Sequence, residues 1–309
     1  MKFVTFQTPS SRQAAGWLQG HDLVIDMNAV SRGFLPGSIQ EFLTEHERYL
    51  SYIHEMNLFE EGDMGVYRLS EVRLSSPLPR PVSIRDFYAF EEHVKTARQK
   101  RGLDVISEWY QFPVFYFTNH LAVKGPEEKI EVPPGCQALD YELEIACVIG
   151  KEGRDIPASE AEEYIFGYCI MNDWSARDLQ REEMKVGLGP AKGKDFATSL
   201  GPYLVSKEEL HPYKTGDRYD LKMTAAVNGK VISKGNLKDI YYPFSEMIER
   251  ASSGVTLYPG EVIGSGTVGT GCILELGEEV HRYLRPGDEV ELTIEGLGLL
   301  KNKIAAKSR

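Results

Sequence analysis

Cysteine is scarce in this chain, and the four cysteines that it has are widely spaced. No C-x-x-C pair is present, so the usual spacing of a zinc site or a redox motif is missing. A chain of 309 residues is also too long to depend on disulfides for its core. The sequence therefore predicts a protein of a reducing compartment, with free thiols at Cys136, Cys147, Cys169 and Cys272.

The chain also lacks an excess of positive charge. It carries 35 lysines and arginines against 46 aspartates and glutamates, which gives a formal net charge of −11. This balance leaves no general basic surface for a polyanion, so we expect no nucleic-acid partner. No apolar run approaches the roughly 18 residues that a membrane-spanning helix needs, and the first 20 residues lack the apolar core of a secretory signal. We therefore expect a cytoplasmic protein with no membrane partner.

Proline marks a division of the chain near residue 76. Three prolines in SSPLPRPV stiffen and extend the backbone, which is typical of a connection between two packed units. Before it, the pattern predicts short strands over 2–6 and 21–27 and a helix that begins at Ser38, where Ser38 and Glu41 have the spacing of a capping box. The sequence thus predicts two domains, a small N-terminal α+β domain over 1–76 and a catalytic domain over 77–309.

Strand patterns dominate after residue 76, and the predicted helices are few and short. Long connections rich in glycine and proline favour a mixed, largely antiparallel β architecture over a doubly wound parallel sheet. The fold class predicted for the whole chain is therefore α+β, mostly β. The predicted strands of this part cover 114–118, 139–149, 165–171, 221–227, 262–266, 273–276 and 290–294.

Acidic residues alternate along the predicted strand LDYELEIACVI. Period-2 alternation places Asp140, Glu142 and Glu144 on one face, with roughly 7 Å between successive members. For an isolated pattern of this kind, a half-solvated acidic face is the ordinary explanation. Here the face continues as Ala146 and Val148, which predicts that it is covered. Covered carboxylates need a compensating cation, and a hard divalent metal ion with oxygen ligands would supply it.

A second carboxylate follows the apolar run of IFGYCIMNDWSARDLQREE. Asp173 or Ser175 could simply cap the helix that begins there, which is an alternative to metal ligation. Arg177 and Gln180 lie three residues apart on one face of that helix. A single arginine is more often a surface ion-pair partner, so only the grouping with Asp173 indicates an anion-binding role.

Two glycine-rich stretches resemble nucleotide-binding motifs and fail to match them. In MKVGLGPAKGKDF, Leu188 stands where a P-loop needs glycine and Asp195 where it needs a hydroxyl. GSGTVG is followed by the strand-like TGCILEL and not by the helix that a dinucleotide site requires. We therefore expect no nucleotide cofactor. His93 lies in RDFYAFEEHVKTARQKRG, which is typical of a helix with a C-terminal cap, so the ordinary interpretation of His93 is a solvated helical residue, and periodicity does not decide the question.

Together these residues resemble the fumarylacetoacetate hydrolase family over nearly the whole chain. The matching strings are RDFY with His93 seven residues after Asp86, DYELEIACVIG, IFGYCIMNDWSARDLQ, GKDF, IGSGTVGTG, ILEL and LRPGDEVELTIEGLG. The resemblance implies a mixed β-roll catalytic domain, usually in a homodimer, and a magnesium, manganese or calcium ion held by carboxylates. The ligands that it implies are Glu142, Glu144 and Asp173, with Asp86 as a fourth in fumarylacetoacetase-like members.

The resemblance also implies how the histidine is held. In the acylpyruvase and oxaloacetate decarboxylase subgroup a glutamate follows the histidine by three residues, and that position is Thr96 here. In the fumarylacetoacetase subgroup the partner is a distant glutamate in an L-E-L string, which matches Glu275. We therefore pair His93 with Glu275. A carboxylate on one imidazole nitrogen fixes the tautomer, so that the other nitrogen can take a proton from water.

The remaining site residues are also implied by the resemblance. Arg177, Gln180 and Lys194 would bind and polarise substrate oxygens, and Tyr88 and Thr267 would line the pocket. The leading hypothesis is a metal-dependent enzyme of aromatic catabolism that hydrolyses a carbon–carbon bond in a 1,3-diketo acid, fumarylacetoacetate or an acylpyruvate. The alternative is an isomerase, hydratase or decarboxylase of a 2-oxo acid that uses the same metal site. A metabolite-binding protein without catalysis is disfavoured because every candidate group is present.

Overall fold

The computed structural model describes residues 1–100 and 102–306. Its N-terminal part contains an antiparallel strand set with short helices packed against it. These elements are β1 Lys2–Gln7, β2 Gln13–Gln19, β3 Leu23–Asp26, α1 Met27–Val30, α2 Ile39–Thr44, α3 His46–His54, β4 Val66–Arg68 and β5 Arg73–Ser75. The Ser38 hydroxyl accepts a hydrogen bond from the Glu41 amide at 3.2 Å, which confirms the predicted start of a helix there.

Strands also predominate in the rest of the chain. The elements are β6 Ile84–Phe87, α4 Glu91–Gln99, β7 Phe115–Phe117, β8 Val123–Lys124, β9 Lys129–Glu131, β10 Leu139–Asp140, β11 Leu143–Ile149, β12 Gly153–Arg154, β13 Ile165–Asp173, β14 Ser175–Ala176, α5 Arg177–Val186, β15 Thr198–Ser206, β16 Lys214–Thr215, β17 Arg218–Tyr219, β18 Lys222–Val227, β19 Lys230–Asn236, α6 Phe244–Ser252, β20 Thr256–Leu257, β21 Val262–Gly264, α7 Ile273–Leu276, β22 Glu289–Ile294 and β23 Gly298–Ala305. Short 3₁₀ helices cover Leu69–Glu71, Ser107–Tyr110, Ala161–Tyr164, Lys207–Tyr213 and Leu237–Asp239.

Two sheets organise the molecule. The larger has the strand order β4-β3-β2-β1-β15-β13-β11-β21-β6-β7, with β5 beside β1 and β8 beside β15. The smaller has the order β19-β18-β22-β23-β9. Antiparallel pairs predominate, and β8 with β15, β6 with β21 and β9 with β23 pair in parallel. The predicted mixed, largely antiparallel α+β architecture is confirmed. Within the described part of the chain, every helix is too short or too polar to cross a bilayer.

The central strands of the large sheet are covered on both faces. In β11, Leu143, Ile145 and Cys147 pack into one hydrophobic core, whereas Ala146 and Val148 pack into a second core on the opposite face. Glu144 shares the face of Ala146 and Val148 and has 0% exposure. The acidic face is therefore covered, as the apolar continuation of the sequence predicts.

The N-terminal strands extend the large sheet. β1 pairs with β15 antiparallel, so that Lys2 lies opposite Val205 and Phe3 opposite Leu204. The chain reaches β6 through the proline-rich segment 77–81, at the other side of the sheet. The division into domains over 1–76 and 77–309 stays a prediction.

Two of the predicted strands differ from the structure. The strand predicted over 273–276 is wrong, because this segment is the helical turn α7. Its first amides, those of Ile273 and Leu274, donate to the buried Asp140 carboxylate at 2.8 and 3.0 Å and not to a neighbouring strand. The strand predicted over 139–149 is interrupted at residues 141 and 142, where the Glu142 amide donates to the Asn172 side chain at 2.9 Å. Although a helix follows GSGTVG, it begins nine residues after β21 ends and does not continue from the glycine loop.

Candidate active site

Four carboxylates meet where neighbouring strands of the large sheet end. Asp86 lies on β6, Glu144 on β11 and Asp173 at the end of β13, while Glu142 lies in the break before β11. All four side chains are buried. One oxygen each from Asp86, Glu142 and Glu144 lies within 4.8 Å of the others. Residues that are far apart in the chain are adjacent here because β6, β21, β11 and β13 are neighbours in the sheet.

Lys194 connects Asp173, the fourth carboxylate, to Glu142. Its ammonium group donates to Glu142 Oε2 at 2.5 Å and to Asp173 Oδ2 at 2.6 Å. The Tyr116 hydroxyl donates to the same Asp173 oxygen. The structure thus brings all four predicted metal ligands, Asp86, Glu142, Glu144 and Asp173, into one buried cluster.

The cluster fits a hard divalent cation. Glu144 Oε2 and Asp173 Oδ1 are buried and have no hydrogen-bond partner in the described part of the chain. A buried carboxylate oxygen without a partner is costly unless a cation reaches it. Carboxylate oxygens are also the ligands that magnesium, manganese and calcium prefer. The donor set therefore agrees with the predicted ion, while its identity stays a prediction.

Without a cation, most of the cluster resists ionisation. Burial, and then the charge of Asp173, raises the pKa of Asp86 well above its usual range. Burial, and then the charge of Asp86, does the same to the pKa of Glu144. Burial raises the pKa of Asp173 although Lys194 opposes it. Burial would also raise the pKa of Glu142, but the charges of Lys194 and Arg177 outweigh it and lower that pKa.

These shifts predict a pH effect on the stability of the metal-free protein. A carboxyl with a raised pKa keeps a proton in the folded state that it loses in the unfolded state, so its contribution to the free energy of unfolding falls as pH rises above about 4. Glu144→Gln removes one such group and should make the free energy of unfolding less dependent on pH between about 4 and neutrality. Urea unfolding of both proteins in chelator across this range measures the two slopes, and equal slopes would contradict the assignment.

Arg177 holds the cluster from the first turn of α5. Its guanidinium donates to Asp140 at 2.9 Å, to Glu142 Oε1 at 2.8 Å and to the Gln180 side-chain oxygen at 3.2 Å. Asp140 thereby accepts hydrogen bonds from Arg177 and from the α7 amides. The N-cap of α5 is Ala176 and no side chain caps it, so neither Asp173 nor Ser175 has the capping role left open by the sequence.

Replacing Arg177 with alanine should destabilise the fold. The change leaves the buried Asp140 and Glu142 without their shared cation, and breaking a buried ion pair in this way costs about 3–5 kcal/mol. Denaturant unfolding measures the loss. Arg181→Ala, at an exposed position one turn further along the same helix, is the matched control and should change the free energy of unfolding by less than about 0.5 kcal/mol. Similar losses in the two variants would contradict this account.

The loop that carries Lys194 is hydrogen-bonded to α5, which positions the lysine. The Glu183 carboxylate accepts hydrogen bonds from the amides of Ala191, Lys192 and Gly193 at 2.9, 2.6 and 3.1 Å. A Cβ at Gly193 would lie 2.8 Å from the backbone of Gln180, so only glycine allows this close approach. The glycine-rich stretch that fails as a P-loop therefore positions a lysine against carboxylates.

His93 and Glu275 meet where α4 packs on α7. His93 Nδ1 lies 2.8 Å from Glu275 Oε1, and both side chains are buried. The Tyr88 ring packs edge-on against the imidazole, with 5.3 Å between ring centroids. His93 is only 4% exposed, so the interpretation of it as a solvated helical residue is wrong. The structure brings together the two residues that the resemblance pairs, and their roles stay predictions.

One cavity of about 300 Å³ joins these groups. Thr267 lies against the cluster, where its hydroxyl donates to Glu144 Oε1 at 3.2 Å. Tyr116 and Arg98 also line the cavity, although no charge pattern or spacing in the sequence marks either of them as a site residue. Site residues among the cavity lining are Asp86, Tyr88, His93, Glu142, Glu144, Arg177, Gln180, Lys194 and Thr267.

Comparison with known proteins agrees with this architecture. The family model described as fumarylacetoacetate (FAA) hydrolase C-terminal matches residues 83–305. Oxaloacetate tautomerase YisK of Bacillus subtilis (strain 168) is 28% identical, over 98% of this chain and 100% of that protein. The mitochondrial oxaloacetate tautomerase FAHD2A of Bos taurus is 33% identical, over 98% of this chain and 91% of that protein. The solved fumarylacetoacetate hydrolase (EaFAH) of the psychrophilic Exiguobacterium antarcticum is 27% identical with a TM-score of 0.77, covering 99% of this chain and all of that one.

Proposed function

This chain belongs to the fumarylacetoacetate hydrolase family, and we propose that it is a metal-dependent isomerase that interconverts the keto and enol forms of a 2-oxo dicarboxylic acid. The observation that carries the proposal is that one cavity is lined by three carboxylates of the cluster and by His93, whose Nδ1 lies 2.8 Å from Glu275. The two tautomerases that match this chain over at least nine-tenths of their length support the choice of reaction. Members of the family are enzymes that act on small molecules, as tautomerases, isomerases or hydrolases.

In the proposed reaction, the carboxylate cluster would bind the metal ion and the His93 imidazole would transfer the proton. Asp86, Glu142, Glu144 and Asp173 would hold a divalent ion, which would supply Lewis acidity for the oxo group of the substrate. His93 would move the proton at the neighbouring carbon. Because Nδ1 faces Glu275, the proton would be exchanged at Nε2, and the carboxylate would hold the ring in that tautomer.

The other titratable groups of the cavity are donors. The charges of Asp173 and Glu142 outweigh burial and raise the pKa of Lys194, so its ammonium group stays protonated. Burial, and then the charge of Asp173, raises the pKa of Tyr116 well above its usual range. Neither residue can therefore serve as the base at neutral pH, and both would hold substrate oxygens or cluster oxygens in place. This leaves His93 as the proposed proton carrier.

A second candidate function is hydrolysis of a carbon–carbon bond in a 1,3-diketo acid. The specific observation in its favour is the pairing of His93 with Glu275, since an imidazole held by a carboxylate can also deprotonate a water molecule. Gln180 and Lys194 would then donate to the oxyanion that forms when water attacks the carbonyl. Arg177 is engaged by Asp140 and Glu142, so its contribution would be to hold Glu142.

Product analysis separates the two candidates. Protein loaded with magnesium or manganese is incubated with oxaloacetate, a set of acylpyruvates and fumarylacetoacetate, while the enol absorbance and the products are followed. The proposed isomerase accelerates the change in enol absorbance with oxaloacetate and leaves a product of unchanged mass. Two acids released from a diketo acid, without faster tautomerisation of oxaloacetate, would reject the isomerase and support the hydrolase. Release of carbon dioxide would identify a decarboxylase.

A further inference from the structure

Beyond the proposed reaction, we propose that His93, Cys272 and Glu275 form a second metal site, which takes a thiophilic divalent ion of the zinc type and blocks the enzyme when it is filled. The site is distinct from the carboxylate cluster in its donors. The cluster offers only oxygen, whereas this group offers an imidazole nitrogen, a thiol sulfur and a carboxylate oxygen. Zinc prefers such a mixed set, and magnesium does not.

The three side chains are already close together. One ligand atom from each of them lies within 4.8 Å of the other two. Ligands that share one zinc ion lie ~3.3–3.8 Å apart, given zinc–ligand bonds of about 2.0–2.3 Å. Cys272 immediately precedes α7 and Glu275 lies within it, while His93 comes from the packed helix α4. Small side-chain movements would therefore suffice to surround one ion.

The Glu275 carboxylate is also available to bind a metal ion. Both carboxylate oxygens of Glu275 are buried and have no hydrogen-bond partner in the described part of the chain, although Oε1 lies 2.8 Å from His93 Nδ1. An unpartnered buried carboxylate oxygen favours a cation beside it. This observation does not depend on the presence of the cysteine.

Binding would be accompanied by the release of a proton. The ion replaces the proton of the Cys272 thiol, so one metal–sulfur bond forms, one S–H bond breaks and the proton leaves to solvent. His93 lines the cavity, which gives an ion a route to the site. An ion bound at Nδ1 would leave the imidazole proton on Nε2, so that Nε2 would have no free lone pair with which to take a proton from the substrate.

Cadmium tests the site without requiring turnover. Cadmium bound to a thiolate absorbs in the ultraviolet through charge transfer from sulfur, so the protein loaded with magnesium is titrated with cadmium and followed by absorbance. We expect one equivalent to produce the band. Cys272→Ser should abolish the band, and the matched control Cys136→Ser, at another buried free cysteine, should keep it. A band that persists in Cys272→Ser, or its absence from the wild-type protein, would overturn the proposal.

Inhibition gives the second readout. With magnesium in excess, zinc should inhibit turnover of a substrate that the protein accepts, and Cys272→Ser should need more than about 100-fold more zinc for the same inhibition, because a direct ligand contributes more than a supporting residue. Cys272→Ala, which adds no hydroxyl, should behave like Cys272→Ser, and thermal unfolding checks that both variants fold. Equal zinc sensitivity in wild type and both folded variants would contradict the site. The cadmium band does not depend on which reaction is catalysed, so failure of the proposed function and failure of this site are distinguishable.

Discussion

Replacing His93 with alanine is expected to lower turnover by orders of magnitude and to leave the divalent ion bound. The imidazole lines the same cavity as the carboxylate cluster but is not one of its oxygen donors. A positioned acid or base typically contributes about 10²–10⁴-fold to a rate, so kcat should fall by that factor. Steady-state kinetics measures the fall, and isothermal titration with magnesium or manganese measures the binding of the ion.

Two further variants give this prediction its controls. His54→Ala removes an exposed histidine at the end of α3 and should leave kcat unchanged. Glu275→Gln keeps the shape of the partner but removes its charge, and should lower kcat by about 10²-fold with little change in KM, because Glu275 acts through the imidazole. Turnover of His93→Ala at the wild-type rate would reject His93 as the proton carrier for either candidate reaction.

Replacing Glu144 with glutamine is expected to remove both metal binding and turnover. Lys194 compensates Glu142 and Asp173, whereas Glu144 Oε1 accepts a hydrogen bond from the uncharged Thr267 hydroxyl and Oε2 is buried. The loss of a direct ligand should reduce affinity by more than the about 100-fold that a supporting residue can contribute. Calorimetric titration with the ion and kinetics at saturating substrate measure the two effects.

The control for Glu144→Gln is Glu152→Gln, at an exposed position just beyond β11. It removes the same charge from the protein and should change neither the affinity for the ion nor kcat. A chelator should likewise abolish wild-type turnover, and readdition of the ion should restore it. If Glu144→Gln bound the ion with wild-type affinity, the cluster would not be the metal centre.

Local patterns predicted much of the fold and the placement of the site residues. The apolar continuation of the acidic face, Ala146 and Val148, indicated that the face is covered, and in the structure it packs into the second core. The three-residue spacing of Arg177 and Gln180 predicted that they share a helix face, and their side chains are in contact. Such features depend on residues that are neighbours in one element, so spacing is enough to find them.

Features made by distant residues could not be predicted in this way. Period-2 alternation placed Asp140 with Glu142 and Glu144, but the strand breaks between residues 140 and 143 and Asp140 binds Arg177 and the α7 amides. The hydrogen bonds from the Ile273 and Leu274 amides to Asp140 also explain why 273–276 forms a helical turn, although its composition is typical of a strand. The Tyr116 hydroxyl donates a hydrogen bond to Asp173 from a different strand of the sheet, and no local spacing in the sequence predicts that contact.

The junction between β1 and β15 affects how the protein can be shortened. β15 is also hydrogen-bonded to β13, which carries Asp173, and Phe3 and Phe42 pack on the Phe166 side chain of β13. Cutting the chain at the proline-rich segment would expose part of the β15 edge and remove aromatic side chains that pack on β13, the strand that carries the predicted ligand Asp173. A protein shortened to residues 77–309 would therefore tend to aggregate, so recombinant expression should retain the first 76 residues.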